Sequence, residues 1–300
     1  MKKVNENLEL VTIEDIENHK RISDSELNRD LKSLRDFDSR SNQNSFYGNP
    51  FLYHFQLKNL LKCYRDNGCS LYDLWDKKDK RQKLLTDTLK RDRGGRTPAG
   101  NIYECFRANT GSVVMFKATT AKYLYQKYGG TSILDPTAGW GGRMLGAWAL
   151  NLRYTGIDTN LELKPAYDKM IQHISDFDNK GLFASDNKLE MIFDSCLDVD
   201  YSNIEYDMVL TSPPYINMEI YEHMKEWNSD LAFYKDFLIP LWEKCRTDIT
   251  KGGYIAFNIS PKMYEDGVKH GLPICDVEED LLQQLGQQKK MKQDKIYIWK

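Results

Sequence analysis

Residues 207–215 read Asp207-Met208-Val209-Leu210-Thr211-Ser212-Pro213-Pro214-Tyr215. The apolar run Met208–Leu210 has the length and bounds of the end of a buried strand, and it delivers Thr211, Ser212, two prolines and a tyrosine to the strand's carboxyl end. Consecutive prolines donate no backbone N–H and hold φ near −65°, so the carbonyls of Ser212 and Pro213 are fixed in a stiff, unpaired arc instead of continuing a ladder. In an open α/β sheet the crevice outside the carboxyl ends of the strands is where ligands bind, so an acceptor arc there faces a site. Taken alone, the same four residues also make an ordinary proline turn. A second stretch upstream decides between the two.

Residues 132–142, Ser-Ile-Leu-Asp-Pro-Thr-Ala-Gly-Trp-Gly-Gly, are again a short apolar strand running into a glycine-rich turn, with a helix expected from Arg143 to Leu150. Gly139, Gly141 and Gly142 let backbone approach a ligand closely, and Asp135 supplies a carboxylate at the strand's end. An acid at that place would repel a pyrophosphate, so the turn departs from the dinucleotide fingerprint and points to a ligand that is cationic or neutral there. The next strand, Tyr154–Asp158, ends on an acid. Its spacing from the glycines suits a carboxylate that accepts hydrogen bonds from ribose hydroxyls.

With these two turns in this order, residues 113–300 resemble the S-adenosylmethionine-dependent DNA amino-methyltransferases. That family carries a D-P-x-x-G-x-G turn for its cofactor and a [D/N/S/T]-P-P-[Y/F/W] turn for its target amine. The resemblance implies a doubly wound, mostly parallel seven-stranded class I methyltransferase sheet of α/β type, with S-adenosylmethionine as cofactor and DNA as partner. Asp135, Pro136, Thr137, Gly139, Gly141 and Gly142 would hold the cofactor, with Asp158 on its ribose. Asp194, with Ser195 beside it and Asp198 as the second choice, would meet its adenine, and Phe116 and Lys117 would lie in a lid over its methionine end. Thr211, Ser212, Pro213, Pro214 and Tyr215 would form the catalytic turn, the tyrosine stacking on a flipped-out base. Serine at the motif's first position is frequent in cytosine-amine enzymes and is found in adenine enzymes, so the base stays open between cytosine and adenine.

The alternation of strand and helix continues with a helix over 161–177, a strand at 189–194, a helix over 229–250 and a strand at 253–259. A last helix is expected over 276–285 and a terminal strand at 295–299, the antiparallel strand of the resembled fold. Residues 1–110 read as a mostly helical N-terminal extension: an irregular arm, an amphipathic helix with Leu27, Leu31 and Leu34 on one face that packs on the catalytic domain or binds a partner, and aromatic residues that build a small helical core. Residues 77–96 are the most basic stretch. Lys90, Arg91, Arg93 and Arg96 lie at its end, where a solvated helix face and phosphate contact are both open readings.

Composition bounds these expectations. The chain has 300 residues, 41% hydrophobic and 29% charged, with a net charge of −2, so nucleic acid would have to be held by a local basic patch and not by a global field. Six cysteines without a C-x-x-C pair or histidines at ligand spacing argue against a structural zinc. With no signal-like apolar run and no stretch near eighteen apolar residues, the chain reads as intracellular and not membrane-bound. Only 85 residues follow Tyr215. Sequence recognition would therefore fall to residues 1–108, to residues 216–228 or to a second subunit. Two other readings stay open: an amino-methyltransferase of the same fold acting on RNA guanine or protein glutamine, and a catalytically silent cofactor-fold subunit that binds nucleic acid.

Overall fold

A computed structural model describes residues 8–40, 45–65, 68–91, 95–110, 113–179, 188–214, 219–220, 227–281 and 295–300. Seven strands form the main sheet: β1 (Ser132–Asp135), β2 (Arg153–Ile157), β3 (Leu189–Ile192), β4 (Met208–Thr211), β5 (Tyr254–Ile259), β6 (Val277–Asp280) and β7 (Lys295–Trp299). Their spatial order is β3-β2-β1-β4-β5-β7-β6. The first five are mutually parallel, and β7 runs antiparallel to both β5 and β6. This is the doubly wound α/β sheet of the class I methyltransferase fold, and the chain reverses direction of travel between β1 and β4. That places the switch point between the two turns singled out in the sequence.

Each strand at the centre is apolar because both faces are covered. β1 and β4 are buried at all four positions. One face, with Ile133, Met208, Leu210, Ala256, Ile296 and Ile298, packs against α7 (Ala118–Tyr128) and α8 (Gly142–Trp148). The other, with Leu134, Val209, Ile255, Phe257 and Trp299, packs on a helical stretch after β4. In place of the single helix expected over 229–250, that stretch is α10 (Asp230–Phe233), a π turn at Tyr234–Leu238 and α11 (Ile239–Thr247). Pro240 lacks an N–H and its ring crowds the carbonyl four residues back, and the wider turn in front of it relieves both.

The expected helix over 276–285 is not there, since Val277–Asp280 is β6 and residues 282–290 lie outside the described ones. β6 is an outer strand, and its run Glu278-Glu279-Asp280 carries the charge that guards a sheet edge. Such a strand has no apolar alternation to announce it.

The N-terminal residues divide between the sheet's own core and a helical cluster of their own. From α2 (Asp24–Asp36), Leu27, Leu31 and Leu34 pack in one cluster with Phe51 and Leu52 of α3 (Asn49–Leu60) and with Ala118, Ala121, Met144 and Leu145 of α7 and α8. Buried Lys122 closes the joint. Its Nζ donates to the carbonyls of Leu34, Arg35 and Phe37 at 2.9, 2.8 and 2.7 Å, satisfying the orphan end of α2. A second helical cluster is built from α1 (Ile13–Asn18), α4 (Leu71–Asp76), α5 (Lys78–Arg91) and α6 (Pro98–Thr110) around Ile16, Leu71, Leu84, Leu85, Ile102 and Phe106. A two-residue antiparallel ladder pairs Tyr64 with Ile220 and Arg65 with Glu219. It ties the chain just beyond the Ser-Pro-Pro turn to the N-terminal helices.

Candidate active site at the switch point

β1 and β4 are clasped at both ends. At their amino ends the Asp207 carboxylate accepts from the backbone N–H of Thr131 and Ser132, each at 2.9 Å. At their carboxyl ends the fully buried Thr211 hydroxyl donates to Asp135 Oδ1 at 2.9 Å and sits 2.7 Å from the Thr137 hydroxyl, while the Thr137 N–H donates back to it at 3.1 Å. Thr211 therefore does not face a substrate. It joins the glycine turn to the Ser-Pro-Pro turn through direct hydrogen bonds.

The sequence suggests that Asp135 offers its charge to a ligand, and the structure corrects this. Asp135 is fully buried, and its other oxygen accepts from Arg143 Nε and from the Tyr154 hydroxyl, both at 2.7 Å. The guanidinium also donates to the Thr137 carbonyl and lies 5.3 Å from the Phe116 ring centre. Burial works against the Arg143 charge, but the Asp135 carboxylate outweighs it and holds the guanidinium above its ordinary pKa. The pair is locally neutral, so the turn offers a ligand backbone and not a free anion. Pro136 is buried beside it.

The glycines are there for two different reasons. Gly139 and Gly141 have φ of 61° and 88°, which L side chains resist, and a Cβ on Gly139 would meet nothing nearer than 3.9 Å. That leaves an open cradle over the turn. At Gly142 space decides, because a Cβ would stand 1.9 Å from the Phe116 carbonyl oxygen. The residues before α7 are thus pressed onto the turn, which brings Phe116 and Lys117 to the same crest. Burial lowers the Lys117 pKa, and its Nζ lies 4.4 Å from the ring centre of exposed Phe46.

Asp158 stands at the tip of β2 with each oxygen already aimed: Oδ2 accepts from Gly139 N–H at 2.8 Å and Oδ1 from Asn160 N–H at 2.9 Å. Burial pushes its carboxyl up to about 6, against the pull of those two donors. Each oxygen keeps a lone pair for a further donor. The hydroxyl of Tyr167, on α9 (Lys164–Asn179), fixes the turn from below by donating to the Gly139 carbonyl at 2.9 Å. Beyond β3, Asp194 is exposed and accepts from Ser195 N–H at 2.7 Å, while the Ser195 hydroxyl accepts from Leu197 N–H at 3.3 Å. Asp198 follows, also exposed. Carboxylates from three adjacent strands thus share the crest, and among the described residues only the innermost, Asp135, is neutralised by a cationic partner.

On the other side of the switch point, Ser212 is half-buried, Pro213 buried and Pro214 half-buried. The Ser212 hydroxyl accepts from Asn258 Nδ2 at 3.1 Å and lies 3.4 Å from the Asn258 carbonyl oxygen. Tyr215 lies outside the described residues, as do most of residues 216–228. So does Arg93, one of the four basic candidates. The other three, Lys90, Arg91 and Arg96, line one open cleft of about 410 Å³ with Thr88, Asn101, Glu104 and Cys105. Among the described residues no group of acids, histidines and cysteines is placed to hold a metal ion, and no helix is long and apolar enough to cross a membrane.

Sequence reasoning does not find Arg143, Tyr154, Tyr167 or Asn258. Asn258 alone leaves a visible sign, a polar side chain inside the apolar strand Tyr254-Ile255-Ala256-Phe257-Asn258-Ile259. The others are partners across elements, and spacing along the chain does not report them.

No known family model matches the chain, and no curated protein does. Solved structures overlap it in part. TrmN from Thermus thermophilus is 16% identical, with 60% of this chain and 48% of that one covered at a TM-score of 0.35, so the chain spans about half of that protein. An rRNA methylase from Streptococcus thermophilus is 15% identical over 63% of this chain and 99% of that one, with a TM-score of 0.38. An RNA methyltransferase from Salinibacter ruber, in complex with S-adenosyl-L-homocysteine, is 13% identical over 62% and 92% at 0.38. At these scores the overlaps assign nothing, and the fold stands on its own sheet order and the site on its own residues.

Proposed function

We propose that this chain is an S-adenosylmethionine-dependent amino-methyltransferase acting on the exocyclic amine of a flipped-out cytosine or adenine in DNA. The observation that carries the reading is the Thr211 junction, which holds a nucleoside-type crevice and a proline-stiffened acceptor arc side by side across the switch point. S-adenosylmethionine would supply an electrophilic methyl group. Asp158, already oriented by Gly139 and Asn160, would accept its ribose hydroxyls, and Asp194 its adenine amine. The open backbone at Gly139 would admit the methionine end beneath Phe116 and Lys117.

An exocyclic amine is a weak nucleophile because its lone pair is delocalised into the ring. Acceptors at the Ser212–Pro213 turn would draw its N–H bonds out of the ring plane and free the lone pair. Proline serves because it leaves its carbonyl without a competing ladder. Orientation beside the methyl supplies much of the acceleration, up to about 7–11 kcal/mol in favourable cases. No strong base is required, since the amine becomes acidic as the new N–C bond forms. The DNA itself would be held by the cleft of Lys90, Arg91 and Arg96, whose cations position phosphates without reading sequence.

The test is transfer of a radiolabelled methyl group to duplex DNA, followed by identification of the modified base. Ser212→Ala and Pro213→Ala should lower kcat while leaving S-adenosylhomocysteine affinity nearly intact. Transfer to RNA or protein only would overturn the DNA reading, and full activity in both variants would overturn the acceptor arc.

Two further outcomes are expected. Because Asp158 must be a carboxylate to accept, and burial raises its pKa to about 6, S-adenosylhomocysteine should bind the wild type about tenfold more weakly one pH unit below that value. The sign for folding is opposite. Between the ordinary carboxylate range and about 6 the native state holds a proton that the unfolded chain does not, so this group's contribution to stability is present below the window and lost as pH rises through it. Asp158→Asn should flatten the binding profile; an equal slope in wild type and variant would remove the ribose from Asp158. Replacing Lys90, Arg91 and Arg96 with Gln should reduce the dependence of DNA affinity on log salt by roughly 0.9 for each phosphate left without its cation. An unchanged slope would return the cleft to a solvated helix face.

A further inference from the structure

Asn258 is 6% exposed and sits at the crest of β5, where the parallel register pairing Thr211 with Phe257 sets residue 258 beside Ser212. Its carboxamide is half used. Nδ2 donates to the Ser212 hydroxyl at 3.1 Å, while Oδ1 is buried and has no hydrogen-bond partner among the described residues. A buried acceptor left unmade is costly, and burial gives this one no packing purpose, since the strand is otherwise apolar. The Ser212 hydroxyl is the group that is engaged: it accepts from Nδ2 and has the Asn258 carbonyl within reach at 3.4 Å.

We propose that Asn258 Oδ1 is the side-chain acceptor for the target amine, held in place by Ser212, with the Pro213 carbonyl as its companion. This deepens the amine-transfer reading and rests on it. Two separate acceptors match a primary amine, which brings two N–H donors. A pyridine-type ring nitrogen brings none, and a hydroxyl or a secondary amine brings one. The substrate class is therefore an aromatic heterocycle bearing an unsubstituted exocyclic NH₂. The methylated product, keeping a single N–H, satisfies only one acceptor, so the site stops after one methyl group. In the step itself the amine nitrogen gains a bond to the methyl carbon as that carbon's bond to sulfur breaks, and one N–H proton leaves the nitrogen for water.

The experiment compares kcat for Asn258→Ala, Asn258→Asp, Ser212→Ala and the double variant Ser212→Ala/Asn258→Ala on duplex DNA, with S-adenosylhomocysteine affinity and melting temperature as checks on folding. Asn258→Ala should lower kcat by about 10- to 100-fold, the scale of one uncharged hydrogen bond made in the transition state. The double variant should be no worse than Asn258→Ala, because the two residues act as one unit. Asn258→Asp keeps an acceptor and should retain more activity than Asn258→Ala. The wild type should also prefer an unmodified target over the same target already monomethylated, and Asn258→Ala should narrow that preference. If Asn258→Ala binds S-adenosylhomocysteine normally and keeps kcat within about twofold while Pro213→Ala loses it, Asn258 is no acceptor and amine transfer stands. If the wild type binds S-adenosylhomocysteine and methylates no nucleic-acid amine, the amine-transfer reading fails first.

Discussion

Arg143→Met should destabilise the protein by roughly 3–5 kcal/mol, the usual cost of stranding one member of a buried ion pair. Asp135 has no exposure to water, and among the described residues Arg143 Nε is the one cationic donor on its carboxylate, the Tyr154 and Thr211 hydroxyls being neutral. For a chain of this size the loss should lower the melting temperature by on the order of 10 °C. Adding Asp135→Asn should recover much of it, since a carboxamide carries no charge to strand and still accepts a hydrogen bond at that place. Thermal unfolding of the wild type, both single variants and the double variant measures this directly. Equal destabilisation by Arg143→Met with and without Asp135→Asn would mean that the ion pair does not hold the turn.

Gly142→Ala should harm ligand binding as Gly139→Ala does, although Gly142 has no positive φ. At Gly139 an added methyl strains the backbone by roughly 1–2 kcal/mol and stands in the open cradle that the ligand would fill. At Gly142 it would fall 1.9 Å from the Phe116 carbonyl oxygen, a backbone atom that cannot rotate away. The chain before α7 would have to withdraw, with Phe116 and Lys117 on it, at a cost typical of overpacking, about 1–3 kcal/mol. Calorimetry with S-adenosylhomocysteine should show its affinity falling by about a hundredfold or more, the equivalent of roughly 3 kcal/mol. Normal affinity in Gly142→Ala would show that the 113–117 segment takes no part in the crevice.

The central strands were legible because burial on both faces forces them to be short apolar runs, and each such run ended in a polar residue at the crest: Asp135, Asp158, Thr211. The terminal strand was found at its observed bounds, Lys295–Trp299, for the same reason. β6 was not, because an edge strand is selected against looking like one. The stripe of Leu27, Leu31 and Leu34 was legible as a helix face packed on the catalytic domain or on a partner, and the structure places it in the sheet's own core. In the site, the outer acids of the crest, Asp158 and Asp194, were readable from position after a strand. The inward ones were not, and Asp135 and Thr211 looked like ligand residues because nothing along the chain announces Arg143, Tyr154 and Thr137 as their partners.

The hydroxyl pair Thr137–Thr211 also has a thermodynamic meaning. A ligand in the glycine crevice would lean on the turn that carries Thr137, and one in the acceptor arc on the turn that follows Thr211, so the two would share one buried joint. Linkage then requires the two affinities to change by a common factor whichever ligand arrives first. A spent cofactor that lets the Thr137 turn relax would weaken the hold on the modified target by the same factor by which that target weakens the hold on the spent cofactor. Product release would thus be a concerted property of one hydrogen-bonded threonine pair, and Thr211→Val would turn it into two unrelated dissociations.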